Sequence, residues 1–281
     1  MDVLGIIAGG GELPLAVAES VQQSGRPVFV VGLSGLANSA IGRFPHDWVA
    51  LGEIGKLLEL LRRHGCKDVL LCGRVPRPRF SEIRLDAKSV VLLPKILAAA
   101  RRGDDALLKF VVELLEKEGF RTVGVGEAAP GLLASEGILG CVTPSEDDMN
   151  DIATGVRVVR RLGELDVGQA AAVCAGLVLA VEAAEGTDAM IARIASLPEA
   201  VRGTPSAPKG VLVKALKPRQ DGKTDLPVIG VETITRAKAA GLAGIAIEAG
   251  NALILDASAV VRSADAAGLF LVGFSHSVNA D

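Results

Sequence analysis

The chain has 281 residues with a formal net charge of −3, 49 % hydrophobic residues, only 3 % aromatics and no Tyr. The mild acidity argues against general nucleic-acid binding, and the longest uncharged apolar run, Ala170–Val181, falls short of the ~18 residues that suggest a membrane span. The length allows one large or two ordinary domains, with Ala, Val, Leu and Ile cores that suit α/β layers.

Val3 to Ala8 reads as a buried strand, followed by Gly9-Gly10-Gly11 and a helix from Pro14 to about Ser24. A strand, a glycine turn and a helix N-terminus make a natural anion site, because backbone N–H groups point outward there. The same sequence also serves as a plain tight turn. A dinucleotide fingerprint would need glycine where Pro14 stands, and the next strand, Pro27–Val31, ends without an acid for a ribose. Ile54–Arg63 is a helix and Asp68–Cys72 a third strand. The basic loop from Gly73 to Arg79 puts Arg74 within reach of a phosphate, although surface arginines are often merely solvated. Helices follow at Ala87–Arg101 and Asp104–Lys117, where Asp104 and Asp105 suit helix capping, and Thr122–Val125 reads as a last strand. The alternation predicts a parallel, Rossmann-like domain over residues 1–130.

Residues 131–144, rich in Gly, Ala and Pro, read as a linker, and residues 145–281 as a second α/β domain. Ser145 and Asp148 resemble a capping box before a helix to about Leu162. Ala170–Val181 reads as one long apolar strand that delivers Glu182, Glu185 and Asp188 at its end, with Thr187 as the cap of the next helix. A short strand, Gly210–Ala215, then leads into a polar loop holding Lys214, Lys217, Arg219, Asp221, Lys223 and Asp225. Such a loop is either a solvated surface segment or a phosphate site. Carboxylates at a strand end beside a Lys-rich loop are what phosphate chemistry with a divalent cation requires. A helix near Glu232–Ala240, the strand Gly244–Glu248, a turn at Asn251, the segment Ala252–Leu255, the helix Asp256–Ala267 and the strand Leu269–Val272 complete the chain. Cys66, Cys72, Cys141 and Cys174 form no CxxC pattern and read as reduced thiols of a cytoplasmic protein. Met1-Asp2-Val3 lacks the basic start of a secretion signal.

GIIAGGGELP (Gly5–Pro14), ARRGDDALL (Ala100–Leu108), DVGQAAAVCAGLVLAVEAAEGTDAM (Asp166–Met190), KALKPRQDGKTDLPVIG (Lys214–Gly230) and AGLAGIAIEAG (Ala240–Gly250) together resemble the LpxI-type UDP-2,3-diacylglucosamine diphosphatases of lipid A biosynthesis. The third and fourth blocks carry the specificity. The resemblance implies a Rossmann-like N-terminal domain, a C-terminal domain of the family's own fold, and substrate held between the two. It implies Mg²⁺, or another divalent cation such as Mn²⁺, and cleavage of the pyrophosphate to UMP and lipid X (2,3-diacylglucosamine 1-phosphate) by water attacking the sugar-side phosphorus. The family's essential aspartate falls on Asp225. Glu182, Glu185 and Asp188 become candidates to complete the metal's oxygen shell, and Gly10, Gly11, Arg74, Gln169, Thr187, Lys214 and Lys217 candidates to bind substrate. Lys223 stands where arginine is usual, and Arg74 and Pro76 replace smaller polar residues. The lipid substrate implies transient contact with the cytoplasmic face of the inner membrane, and a homodimer is allowed. The main alternative is a non-catalytic sensor of a nucleotide sugar or lipid phosphate. A nucleotide-dependent reductase is disfavoured by Pro14.

Overall fold

The computed structural model describes residues 2–76, 85–217 and 226–275, the side chains of residues 104 and 105 excepted. It divides into two units, Met1–Pro130 and Gly131–Asp281. The first unit runs β1 (Val3–Ala8), α1 (Leu13–Gln23), β2 (Val28–Leu33), β3 (His46–Val49), α2 (Ile54–Arg63), β4 (Cys66–Cys72), α3 (Ala87–Arg101), α4 (Asp104–Lys117), β5 (Arg121–Thr122) and α5 (Val125–Ala128). Its five strands are all parallel, in the order β3-β2-β1-β4-β5, which is a Rossmann-like arrangement. Ile7, Phe29, Val31 and Val69 of the strands meet Leu58 and Leu61 of α2 and Leu115 of α4 in one core. Two readings change here. β3 joins the sheet unannounced by any apolar run, and the predicted strand Thr122–Val125 shortens to β5, because Val125 already begins a helix.

One ion cluster staples the N-terminal edge of this sheet. Arg121 holds both oxygens of Asp68 (Nε–Oδ1 2.8 Å, Nη2–Oδ2 2.7 Å), and Arg26 adds a third bond at 2.6 Å. The Arg121 contacts, then Arg26, pull the Asp68 carboxyl from 3.8 down to about 2. A depressed carboxyl stabilises the fold above its unfolded pKa and loses that contribution as pH falls through its folded one. Asp68→Asn should therefore cost about 2 kcal/mol at pH 7. The gap from the parent should narrow between pH 4 and pH 2, as denaturant titrations at several pH values will read. A constant gap would assign the effect to packing.

The second unit runs β6 (Gly137–Ile138), α6 (Glu146–Glu164), β7 (Ala170–Cys174), β8 (Leu177–Val181), α7 (Gly186–Ala195), β9 (Val211–Lys214), β10 (Val228–Ile229), α8 (Val231–Ala239), β11 (Gly244–Glu248), β12 (Leu253–Ile254), α9 (Ala257–Ala267) and β13 (Phe270–Phe274). Six strands form a mixed sheet, β6-β13-β11-β9-β7-β8, and β10 pairs separately with β12. On one face Ile152, Val156 and Val159 of α6 pack against Ala171, Val211, Val213 and Ala246. On the other, α7, α8 and α9 supply Met190, Ile191, Ile194, Ile234, Ala237, Val260 and Ala264 against Ala172, Leu212 and Ile245. β9 and β11 are buried at every position, as strands covered on both sides are. The capping box forms as expected, Ser145 accepting from Asp148 N–H and the Asp148 carboxylate receiving both Ser145 donors. Residues 131–144 hold more order than a linker: β6 pairs antiparallel with β13, and Ala134 exchanges backbone bonds with Gly250 and Ala252.

The reading of Ala170–Val181 as one strand is corrected. Ala175 (φ 50°) and Gly176 (φ 75°) both adopt the left-handed conformation of a two-residue hairpin turn, so the run folds back as β7 and β8. Buried Asp151 of α6 accepts from both turn amides, Ala175 N–H at 2.9 Å and Gly176 N–H at 2.7 Å, which fixes where the reversal occurs. Cys66, Cys72 and Cys174 are buried free thiols and Cys141 is exposed; burial raises Cys66 to about 11. No helix among the described residues is long and apolar enough to cross a membrane.

Candidate functional site

In the second unit β9, β11 and β13 run parallel, so their C-terminal ends share one sheet edge. β7 is antiparallel to β9 and therefore starts at that edge, and β8, antiparallel to β7, ends there. Open α/β sheets place ligands outside the carboxyl ends of their parallel strands, where loops diverge. Here the edge gathers Gln169, Glu182, Thr187, Lys214, Lys217 and Glu248. Residues 218–225, between β9 and β10 in sequence, lie outside the described residues.

Glu182, 7 % exposed, is the hub of one half. Its carboxylate accepts from Gln169 N–H at 3.1 Å and from the Thr187 hydroxyl at 2.8 Å, and its own N–H donates to Ala170 O at 2.9 Å. Gly168 permits this approach, since a Cβ there would lie 2.0 Å from Glu182 O. Thr187 was predicted to cap α7, but the cap position belongs to Glu185 and the hydroxyl is spent on Glu182. Gln169 Oε1 is sealed from solvent with no donor among the described residues. An unmet buried acceptor costs about 1–3 kcal/mol, which a ligand N–H or O–H would relieve.

Two buried charges govern the other half. Lys214, 4 % exposed, ends β9 and donates through Nζ to Val228 O at 3.0 Å. Glu248, 1 % exposed, ends β11, and its carboxylate accepts from Leu216 N–H at 2.9 Å. Leu216 precedes the segment 218–225 and Val228 follows it. The two charges thus tie the entry and the exit of the segment that carries Asp225. Lys217 pairs with Asp166, whose φ of 57° turns it into position, at 2.9 Å.

Other predicted residues lie apart from this group. Glu185 pairs with Arg193 at 3.0 Å, and Asp188 approaches Arg236 at 3.7 Å, so both carboxylates of the α7 start already face guanidinium groups. No group of three His, Cys, Asp or Glu side chains able to hold a metal occurs among the described residues. Asp225 lies outside them, as do Asp221 and Lys223. In the first unit, Gly10 and Arg74 exchange two backbone bonds of 2.8 Å, and Gly9 N–H donates to Cys72 O at 2.9 Å. The first two glycine amides are thus engaged with β4 and its following loop, contrary to the outward-facing anion site expected of them. Gly11 (φ 92°) follows in left-handed conformation, and the Arg74 side chain is exposed. Glu248 was missed. The signal was available: an apolar strand, GIAIE, that ends on a carboxylate, the logic already applied to Glu182.

Two family models match the chain: the LpxI N-terminal domain over residues 3–132 and the LpxI C-terminal domain over residues 135–272. The UDP-2,3-diacylglucosamine pyrophosphatase LpxI of Caulobacter vibrioides is 48 % identical over 273 residues, covering 97 % of this chain and 98 % of that protein. Among solved structures, the N5-carboxyaminoimidazole ribonucleotide synthetase of Thermotoga maritima aligns with 66 % of this chain and 42 % of its own. Its 13 % identity and TM-score of 0.26 are too low to carry an argument.

Proposed function

We propose that this chain, which belongs to the LpxI family across both of that family's domains, hydrolyses the pyrophosphate bond of UDP-2,3-diacylglucosamine to UMP and lipid X. The observation that carries the reading is the near full-length match to a named pyrophosphatase, joined to a strand edge where lysines and buried carboxylates frame the segment bearing Asp225. In this reaction the oxygen of a water bonds to the sugar-side phosphorus. The bond from that phosphorus to the bridging oxygen breaks, and the bridging oxygen leaves with UMP. Asp225 would orient the water. Lys217 would face the phosphoryl oxygens by exchanging Asp166 for substrate, and Thr187 and Gln169 would hydrogen-bond the substrate beside Glu182. Lys214 would act through the loop whose exit it ties. Within the first unit, the exposed Arg74 side chain would be available to a phosphate, whereas the Gly10 amide is already bonded to Arg74 O.

The described carboxylates do not make a metal shell by themselves. Mg²⁺, however, takes one or two carboxylates and keeps several waters, so Asp225 with Glu182 would suffice. The ion, when bound, would offset charge on the phosphoryl oxygens. Glu185 and Asp188 would contribute only by releasing Arg193 and Arg236. The same reading puts the protein in the cytoplasm, acting on a lipid of the inner membrane. UMP release from UDP-2,3-diacylglucosamine, measured with Mg²⁺ and after chelation by EDTA, is the test. Release that requires the cation is expected. Tight substrate binding with no UMP under any divalent cation would instead make the protein a sensor.

A further inference from the structure

α3 is apolar nearly all round, the pattern of a helix buried on every side, yet one face lies open. Ser89 and Ala100 are buried and Leu92, Leu93, Ile96 and Leu97 half-buried, whereas Val90, Val91, Pro94, Lys95, Ala98 and Arg101 are exposed. Val91 is 77 % exposed and Val90 56 %. The helix is firmly mounted. Its cap, Asp86, accepts from Ser89 N–H at 2.8 Å and also receives Gly55 N–H and Lys56 N–H at the start of α2. The open face is therefore presented by a fixed element.

Its charge is one-sided. Between Ala87 and Arg102 stand Lys88, Lys95, Arg101 and Arg102 and no acid, in a chain whose net charge is −3. Lys88 turns inward to Glu118 at 2.5 Å, while Lys95, Arg101 and Arg102 are exposed. The nearest acids in sequence, Asp86 and Asp104, mark the two ends of the helix. We propose that this face docks on an anionic lipid surface, with Val90, Val91 and Pro94 at the headgroup boundary and the three cations on lipid phosphates. Helices that lie in a membrane interface combine these features, and each cation near an anionic leaflet strengthens binding roughly fivefold. A second copy of the chain is the poorer occupant. A two-fold contact would set the same patch against itself and bring Lys95 and Arg101 against like charges. The inference rests on the proposed lipid substrate for its purpose, and on the surface itself for its observations.

The test uses the full chain and co-sedimentation with vesicles of phosphatidylcholine, alone or with one part in about three of phosphatidylglycerol, at low and high salt. The parent should bind the anionic vesicles, lose them with salt, and ignore the neutral ones. Val91→Asp, and separately Lys95→Gln with Arg101→Gln, should each weaken binding on the order of tenfold or more. Met149→Asp, an exposed apolar position among Glu146, Asp147 and Asp148, should bind as the parent does. All variants should keep the parent's melting temperature and its UMP release from substrate in detergent micelles. Equal binding to neutral vesicles, α3 variants that bind like the parent, or loss of a dimer in place of vesicle binding would each overturn the assignment. Vesicle binding without UMP release by the parent would leave the surface standing and remove the proposed reaction.

Discussion

Asp225→Ala is expected to lower UMP release by a hundredfold to a thousandfold or more, while melting temperature and substrate affinity stay near those of the parent. Losing one group that orients water or charge in the transition state costs on the order of 3–4 kcal/mol of barrier. A carboxylate in a polar loop contributes about 1 kcal/mol or less to folding. The residue lies outside the described segments, yet the chain on either side of it is held: Leu216 N–H by Glu248 and Val228 O by Lys214. Substituting the loop residue leaves both ties in place, so the fold should not register the change. Asp221→Ala, four positions earlier, is the matched control and should keep most activity. Near-normal turnover for Asp225→Ala, or loss through unfolding alone, would show the catalytic assignment to be wrong.

Glu248→Leu should cost both stability and turnover, and Glu248→Gln far less of either. The carboxylate is 1 % exposed and accepts Leu216 N–H, a bond to a charged acceptor worth about 1.5–3 kcal/mol. Leucine removes the acceptor and leaves that half-buried N–H without it. Glutamine keeps an oxygen in the same place. If Glu248 acts by positioning, releasing the loop entry should misplace Asp225, and a shift near 1 Å costs on the order of a hundredfold in rate. The loss for Glu248→Leu should fall mainly on kcat, since the carboxylate is buried and already holds the Leu216 N–H. Steady-state kinetics beside urea unfolding curves will read both quantities. Equal loss for the Gln and Leu variants would mean that the charge matters and not the tie. Full activity in a destabilised Leu variant would make Glu248 purely structural.

Much of the fold was legible because its signals are local. The bounds of α2, α3, α4 and β11 follow from apolar spacing and flanking glycines, and the Ser145–Asp148 box needs only four consecutive residues. The strand–helix alternation of the first unit also announces a parallel sheet. Errors came where a contact far along the chain decides the outcome. β3 is short, half-polar and defined by pairing with β2, so no window around His46–Val49 marks it. Thr187 has the chemistry of a cap, but α7 already begins at Gly186, and the Thr187 hydroxyl donates to Glu182.

The family's long motifs and the residue types of the candidate site stand in the sequence alone, because a motif needs only order and spacing. Which of those residues meet was decided by the tertiary structure. Read as one strand, Ala170–Val181 would set Gln169 and Glu182 roughly 40 Å apart. The turn at Ala175 and Gly176, fixed by Asp151 from another element, brings them to 3.1 Å. Glu185 and Asp188 share Glu182's chemistry and neighbourhood in sequence, yet arginines on α7 and α8 engage them. Glu248 joins the site only because parallel strands end their carboxyl termini at one edge. Hydrogen bonding and ion pairing act over about 3 Å of space, whatever the separation along the chain, and sequence spacing cannot report that distance.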